Sequence, residues 1–157
     1  MRITNLGSVL KRIGRRKSRA GATAVELGLV LPVMALLVVG AADFARLFYT
    51  AIEVANAARA GVQFGTQSNG ATGNLDGMKK AATDDAKQVA NMTVTAARRC
   101  QCADGTAVDC ITGDCGSYGA PQIYVTVTAQ KTFNTVVPYP GIPPSINLNK
   151  TAIMRAQ

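Results

Sequence analysis

The sequence predicts an α+β protein. A long N-terminal helix leads into a small head domain of one further helix and an antiparallel sheet, stapled by disulfides. Three observations predict it. Residues 27 to 42 carry no charge, residues 122 to 129 alternate apolar and polar, and all four cysteines fall between residues 100 and 115.

The long helix comes first. Leu27 to Ala42 is sixteen residues without a charge. With Ala22 to Val25 and a half-buried Glu26 it reaches the roughly 20 residues that a bilayer span requires. Pro32 lies inside this stretch. Membrane helices tolerate proline because neighbouring groups re-satisfy the freed carbonyl, so a kink or local loosening is expected there. Past the span, Phe44, Phe48, Ala51, Ala55, Ala58 and Val62 recur at spacings of four and three. That period predicts an apolar seam, with Asp43, Arg46, Glu53, Asn56, Arg59 and Gln63 off it. One continuous helix over residues 22–66 follows, transmembrane in its first half.

The head is expected over residues 67–157. Residues 66 to 74 are rich in turn formers and read as a loop. Residues 75 to 91 read as a helix capped by Asn74, with Leu75, Met78, Ala82, Ala86, Val89 and Ala90 inward. Thr93 to Gln101 is a plausible strand. Gln122 to Ala129 is the clearest one, with Ile123, Val125, Val127 and Ala129 inward. Val136 to Pro144 holds four of the six prolines and reads as an extended loop. Ser145 to Arg155 completes three or four strands, packed on the exposed part of the long helix and on the second helix.

The net charge of +8 is concentrated at one end. Arg2, Lys11, Arg12, Arg15, Arg16, Lys17 and Arg19 precede Gly21 with no acid among them, leaving ten Lys/Arg against nine Asp/Glu. The high pI therefore belongs to a leader, residues 1–21, and not to a basic face that would bind nucleic acid. Basic residues beside an apolar span stay cytoplasmic, which places the head on the far side of the membrane. A secretory signal peptide ending at Gly40-Ala41-Ala42, or a plain uncleaved anchor, are the competing readings of the same stretch.

An even cysteine cluster on a translocated segment reads as disulfides. Cys100 and Cys102 share one face of a strand. A hairpin through the Asp104-Gly105 turn signal would bring Cys102 to Cys110 and leave Cys100 for Cys115. That nested pairing is preferred of the three possible. A tetrathiolate zinc site is the alternative, for which Cys-x-Cys spacing fits poorly, so no metal is expected. Catalysis is not expected either. The chain has no histidine, no acid pair in a recognisable motif and no phosphate-cradling loop; Gly61 to Gly65 lacks the lysine and strand context. Asn91-Met92-Thr93 and Asn149-Lys150-Thr151 match a glycosylation pattern, a weak signal. No cofactor is implied.

One glutamate at the mouth of the span, five residues after a glycine, is costly and points to function. Gly21-Ala22-Thr23-Ala24-Val25-Glu26 resembles the processing site of type IV prepilins, especially the type IVb pilins of Flp/Tad pili. Asp43-Phe44-Ala45-Arg46, the Ala-Ala-Arg-Ala of residues 57 to 60 and the ending Thr151 to Arg155 extend the likeness to the TadE-like minor pseudopilins. The resemblance implies that a prepilin peptidase cuts after Gly21 and that Ala22 becomes the new N-terminus. It implies that Glu26 pairs with the terminal amine of a neighbouring subunit. The long helix would serve first in the membrane and then in a filament. The implied partners are the peptidase, other pilin or pseudopilin subunits, the inner-membrane assembly machinery and the lipid bilayer. The implied location is a single pass through the inner membrane, N-terminus cytoplasmic and head periplasmic, then the extracellular pilus. Surface adherence would follow from assembly. A membrane-anchored or secreted periplasmic binding module is the reading from another class, and a redox protein using Cys100 and Cys102 a more distant one.

Overall fold

A computed structural model describes residues 17–139 and 141–156, so the leader expected over residues 1–21 lies mostly outside the described residues. The elements run α1 (Lys17–Thr66), α2 (Asn69–Gly73), α3 (Leu75–Asp85), β1 (Thr93–Gln101), β2 (Ala107–Val108), β3 (Gln122–Asn134) and β4 (Ser145–Arg155). A 3-10 turn spans Gly116–Tyr118. The chain divides into two compact units, Met1–Ala42 and Asp43–Gln157.

In the first unit α1 runs unbroken through Pro32. Residues 21 to 39 are all exposed, with Leu29 at 72% and Leu36 at 64%. Among the described residues α1 is the one helix long and apolar enough to cross a membrane. It fits a single-pass membrane anchor. An all-round apolar surface left open to solvent is what a lipid-facing helix presents.

The second unit is an antiparallel four-stranded sheet of order β2-β1-β3-β4, covered by the second half of α1 and by α3. β3 is central because its alternation is the most complete. Val125, Val127 and Ala129 are fully buried and Phe133 nearly so. Val127 faces Ala96 on β1 and Ala152 on β4. The opposite face is polar and cross-linked by side chains, Thr128 to Thr151 at 2.8 Å and Thr132 to Asn147 at 2.9 Å. β1 and β4 have the bounds the sequence predicts, whereas β3 extends five residues beyond Ala129.

The helix meets this sheet through small residues. Val54, Ala57, Ala58 and Val62 of α1 pack with Met78, Ala82 and Ala86 and with the buried face of β3. A Cβ on Gly61 would lie 2.9 Å from Val127 Cγ1 and 3.0 Å from the Met78 carbonyl oxygen. Only glycine permits that approach.

The predicted seam is out of phase by about one residue. Ala58 and Val62 are buried as expected, but Phe44 and Phe48 are 53% and 65% exposed. The buried stripe instead runs Asp43, Val54, Ala57, Ala58, Gly61, Val62 and Gly65, with Leu47 and Thr50 half-buried. Phenylalanine marks the apolar side by bulk, but a close helix-to-sheet contact selects the side with the smallest residues. Two boundaries also differ. The expected loop at 66–74 contains α2, with Ser68 Oγ accepting from the Ala71 N–H at 3.2 Å. α3 ends at Asp85, leaving Ala90 exposed. Its Asn74 cap is as predicted, with Oδ1 accepting from the Gly77 N–H at 2.9 Å.

Candidate functional site

The N-terminal site is built on bare helix. Gly21, Ala22 and Glu26 are all helical and exposed, and a Cβ on Gly21 would meet nothing within 4 Å. Ala22 and Glu26 are four residues apart and so share one face of the helix. Glu26 has no ion-pair partner among the described residues. Pro32 lacks an N–H, so the carbonyl of Gly28 one turn earlier loses its helical donor.

Where the uncharged stretch ends, Asp43 is 4% exposed. A carboxylate that deep needs partners, and it has three. Oδ1 takes a 3.1 Å bond from Arg46 Nη1. Oδ2 accepts from the Val136 N–H at 3.0 Å and from the Tyr139 hydroxyl at 3.2 Å. Arg46 also lies over the Phe133 ring, 5.5 Å from its centroid. Desolvation, together with the nearby Asp43 carboxylate that accepts its hydrogen bond, raises the pKa of Tyr139. The cluster ties the loop between β3 and β4 to α1.

The cysteines form two disulfides, but not in the preferred pairing. Cys100 bonds Cys110, with Cα atoms 5.1 Å apart, and Cys102 bonds Cys115, at 5.5 Å. This corrects the expected Cys102–Cys110 and Cys100–Cys115 bridges. The reason is register. β1 pairs with β2 so that Cys100 faces Val108 and Gln101 faces Ala107, which centres the turn on Asp104. The turn is closed by the Gly105 N–H to the Cys102 carbonyl at 2.9 Å. Bringing Cys102 opposite Cys110 would need a turn centred two residues later. With the observed turn Cys110 lies just past Cys100, and Cys102 is left for Cys115. No cysteine is free.

Aspartates brace the same loop. Asp104, Asp109 and Asp114 each accept from backbone N–H groups two or three residues on, at 2.8 to 2.9 Å. Asp109 is held below the ordinary carboxylate range by the N–H groups of Thr112 and Ile111, then by the Thr112 hydroxyl, with Arg98 adding attraction. Asp104 is lowered the same way by Thr106.

Gly21, Ala22, Glu26 and Pro32 thus share one exposed helix, and the four cysteines share one braced loop of the head. Sequence reading missed Asp43 and Tyr139. The available signal was the spacing of Asp43 to Leu47, Thr50, Val54, Ala57 and Gly61, a heptad one residue out of step with the phenylalanines.

The family model for TadE-like proteins matches residues 21–63. The match thus covers most of α1 and none of the sheet. Neither the curated proteins nor the solved structures offer a match to the chain. Over residues 21–63 the chain is TadE-like, consistent with a protein of the Flp/Tad pilus.

Proposed function

We propose that this protein is a minor pilin-like subunit of a type IVb (Flp/Tad) pilus, cleaved after Gly21 and assembled through its N-terminal helix. The observation that carries this reading is the TadE-like match, which begins at Gly21 and takes in Glu26 and the uncharged stretch. The chemistry is coherent with it. Glycine is a poor helix former, by roughly 1 kcal/mol against alanine, so a helix is easiest to unwind for a peptidase at Gly21. Cleavage there would create an α-ammonium at Ala22, a cation close to a carboxylate in apolar surroundings. Glu26 would pair with the ammonium of a neighbouring subunit and set the axial register of the helices. The exposed apolar surface from Leu27 to Val39 would pass from lipid into a bundle of like helices, staying dry throughout. The role is structural and not enzymatic, with the head carried outward and contributing to adherence.

The test is the N-terminus and intact mass of protein taken from membranes, with and without a prepilin peptidase. A peptidase-dependent start at Ala22 supports the reading. A start near Asp43 makes this an ordinary secreted protein. An intact leader in both samples makes it a static anchor presenting a binding module. Either of the last two results removes the filament mechanism.

A further inference from the structure

The loop joining β3 to β4 is the least charged part of the head. No Lys, Arg, Asp or Glu occurs in the eighteen residues from Thr132 to Asn149. Within it, Val136, Val137 and Ile142 are 66%, 38% and 40% exposed. Four of the ten residues from 135 to 144 are prolines, which have no N–H to dehydrate. Three of the other six residues, Thr135, Val136 and Ile142, already donate their N–H to Pro144, Asp43 and Tyr139. Fewer backbone donors therefore need water, which lowers the cost of seating the loop at a lipid interface, where headgroups and water can meet the remaining polar groups.

Its anchor decides where it lies along the chain. Both Val136 and Tyr139 are hydrogen-bonded to Asp43 Oδ2. Asp43 is joined by one peptide bond to Ala42, the last residue of the uncharged stretch. The loop is therefore tethered at the level where the span ends. Two neighbours suit a lipid interface. Tyr139 has an apolar ring and a polar tip, the type enriched at membrane surfaces. Arg46, half-exposed while paired with Asp43, keeps further guanidinium N–H groups that can meet headgroup phosphates.

We propose that residues 135–139 and 141–144, with Phe44, form a foot that seats the head on the lipid surface where the helix emerges. This rests on the reading of the uncharged stretch as a membrane span. The Asp43 bonds hold the loop to the residue that directly follows the uncharged stretch in the chain.

The chain has no tryptophan, so a single introduced one reports alone. The full chain would be reconstituted in vesicles of phosphatidylcholine with a minority of phosphatidylglycerol, with and without bromine on the acyl chains. Leu36→Trp reports the span. Ile111→Trp, at a site 84% exposed in the cysteine loop, reports water. Val136→Trp and Ile142→Trp report the foot, and both keep the backbone N–H. Both foot probes should be quenched by brominated lipid at least half as strongly as Leu36→Trp, with Ile111→Trp unquenched. Foot probes that behave like Ile111→Trp while Leu36→Trp is quenched overturn the foot and leave the span intact. Foot emission that is blue-shifted yet unquenched means protein covers the loop, a second copy included, and also overturns it. An unquenched Leu36→Trp overturns the span and the foot together.

Discussion

Tyr139 donates its hydroxyl hydrogen to the Asp43 carboxylate across 3.2 Å, although 96 residues separate the two. Asp43→Ala would leave that hydroxyl and the Val136 N–H without their acceptor and Arg46 without its carboxylate. Stranding partly buried donors costs about 2 kcal/mol. Urea unfolding of the full chain in detergent, followed by circular dichroism, should show that loss, with Tyr139→Phe costing less. Equal stability of Asp43→Ala and the parent would mean the cluster does not hold the loop.

Gly61 sets how closely α1 approaches β3. Its missing Cβ would stand 2.9 Å from a Val127 methyl and 3.0 Å from a backbone oxygen. Gly61→Ala should therefore destabilise the head by about 1–3 kcal/mol, an overpacking cost. The gain in helix propensity, about 1 kcal/mol, offsets only part of it. The companion variant Gly61→Ala/Val127→Ala removes the methyls and should recover stability relative to Val127→Ala alone. Failure of that recovery would locate the strain at the Met78 carbonyl.

Peptide mapping without reduction should recover Cys100 joined to Cys110 and Cys102 joined to Cys115. The bridges close spans of ten and thirteen residues. In the chain-entropy picture a loop of about that size is worth roughly 3 kcal/mol. Replacing either pair by serine should lower the unfolding free energy by that order. Recovery of a Cys102–Cys110 peptide would reject the register of β1 on β2.

Asp109 gives the cysteine loop an acid limit. Its folded pKa is depressed, chiefly by the Thr112 N–H and then by the Ile111 N–H. A depressed carboxylate contributes fully above its unfolded value, about 3.9, and loses that contribution as pH falls through the lower folded value. The amide resonances of Ile111 and Thr112 should accordingly titrate with a midpoint below 3.9. Asp109→Asn should abolish that titration. A midpoint at or above the ordinary value would remove the role assigned to the two N–H groups.

On the proposed reading, Glu26 serves assembly and not processing. Glu26→Ala should leave cleavage largely intact and reduce incorporation into sheared filaments. Gly21→Ala should impair cleavage more than Ala22→Ser. The ratio of processed to unprocessed chain, and the fraction recovered in filaments, measure both. Unchanged incorporation of Glu26→Ala would count against pairing with a neighbour's N-terminus.

The sequence by itself determined the long helix, the capped start of α3 and the three long strands, though not α2, the end of α3 or the full length of β3. The uncharged stretch, the period-two run at Gln122 to Ala129 and the Asn74 cap are written in neighbouring residues, because span length, strand alternation and capping are local properties. Tertiary structure alone decided which face of α1 is buried, which cysteines join and what Asp43 holds. Phe44 and Phe48 made the apolar side look obvious, yet the sheet chose Gly61 and its small neighbours, because packing distance is set by both surfaces at once. The bridges followed the strand register about Asp104, two residues from the turn centre that the nested pairing required. Asp43 read as a position off the apolar seam because its partners, Val136 and Tyr139, lie more than ninety residues away. A local pattern carries no record of a neighbour that only the folded chain brings near.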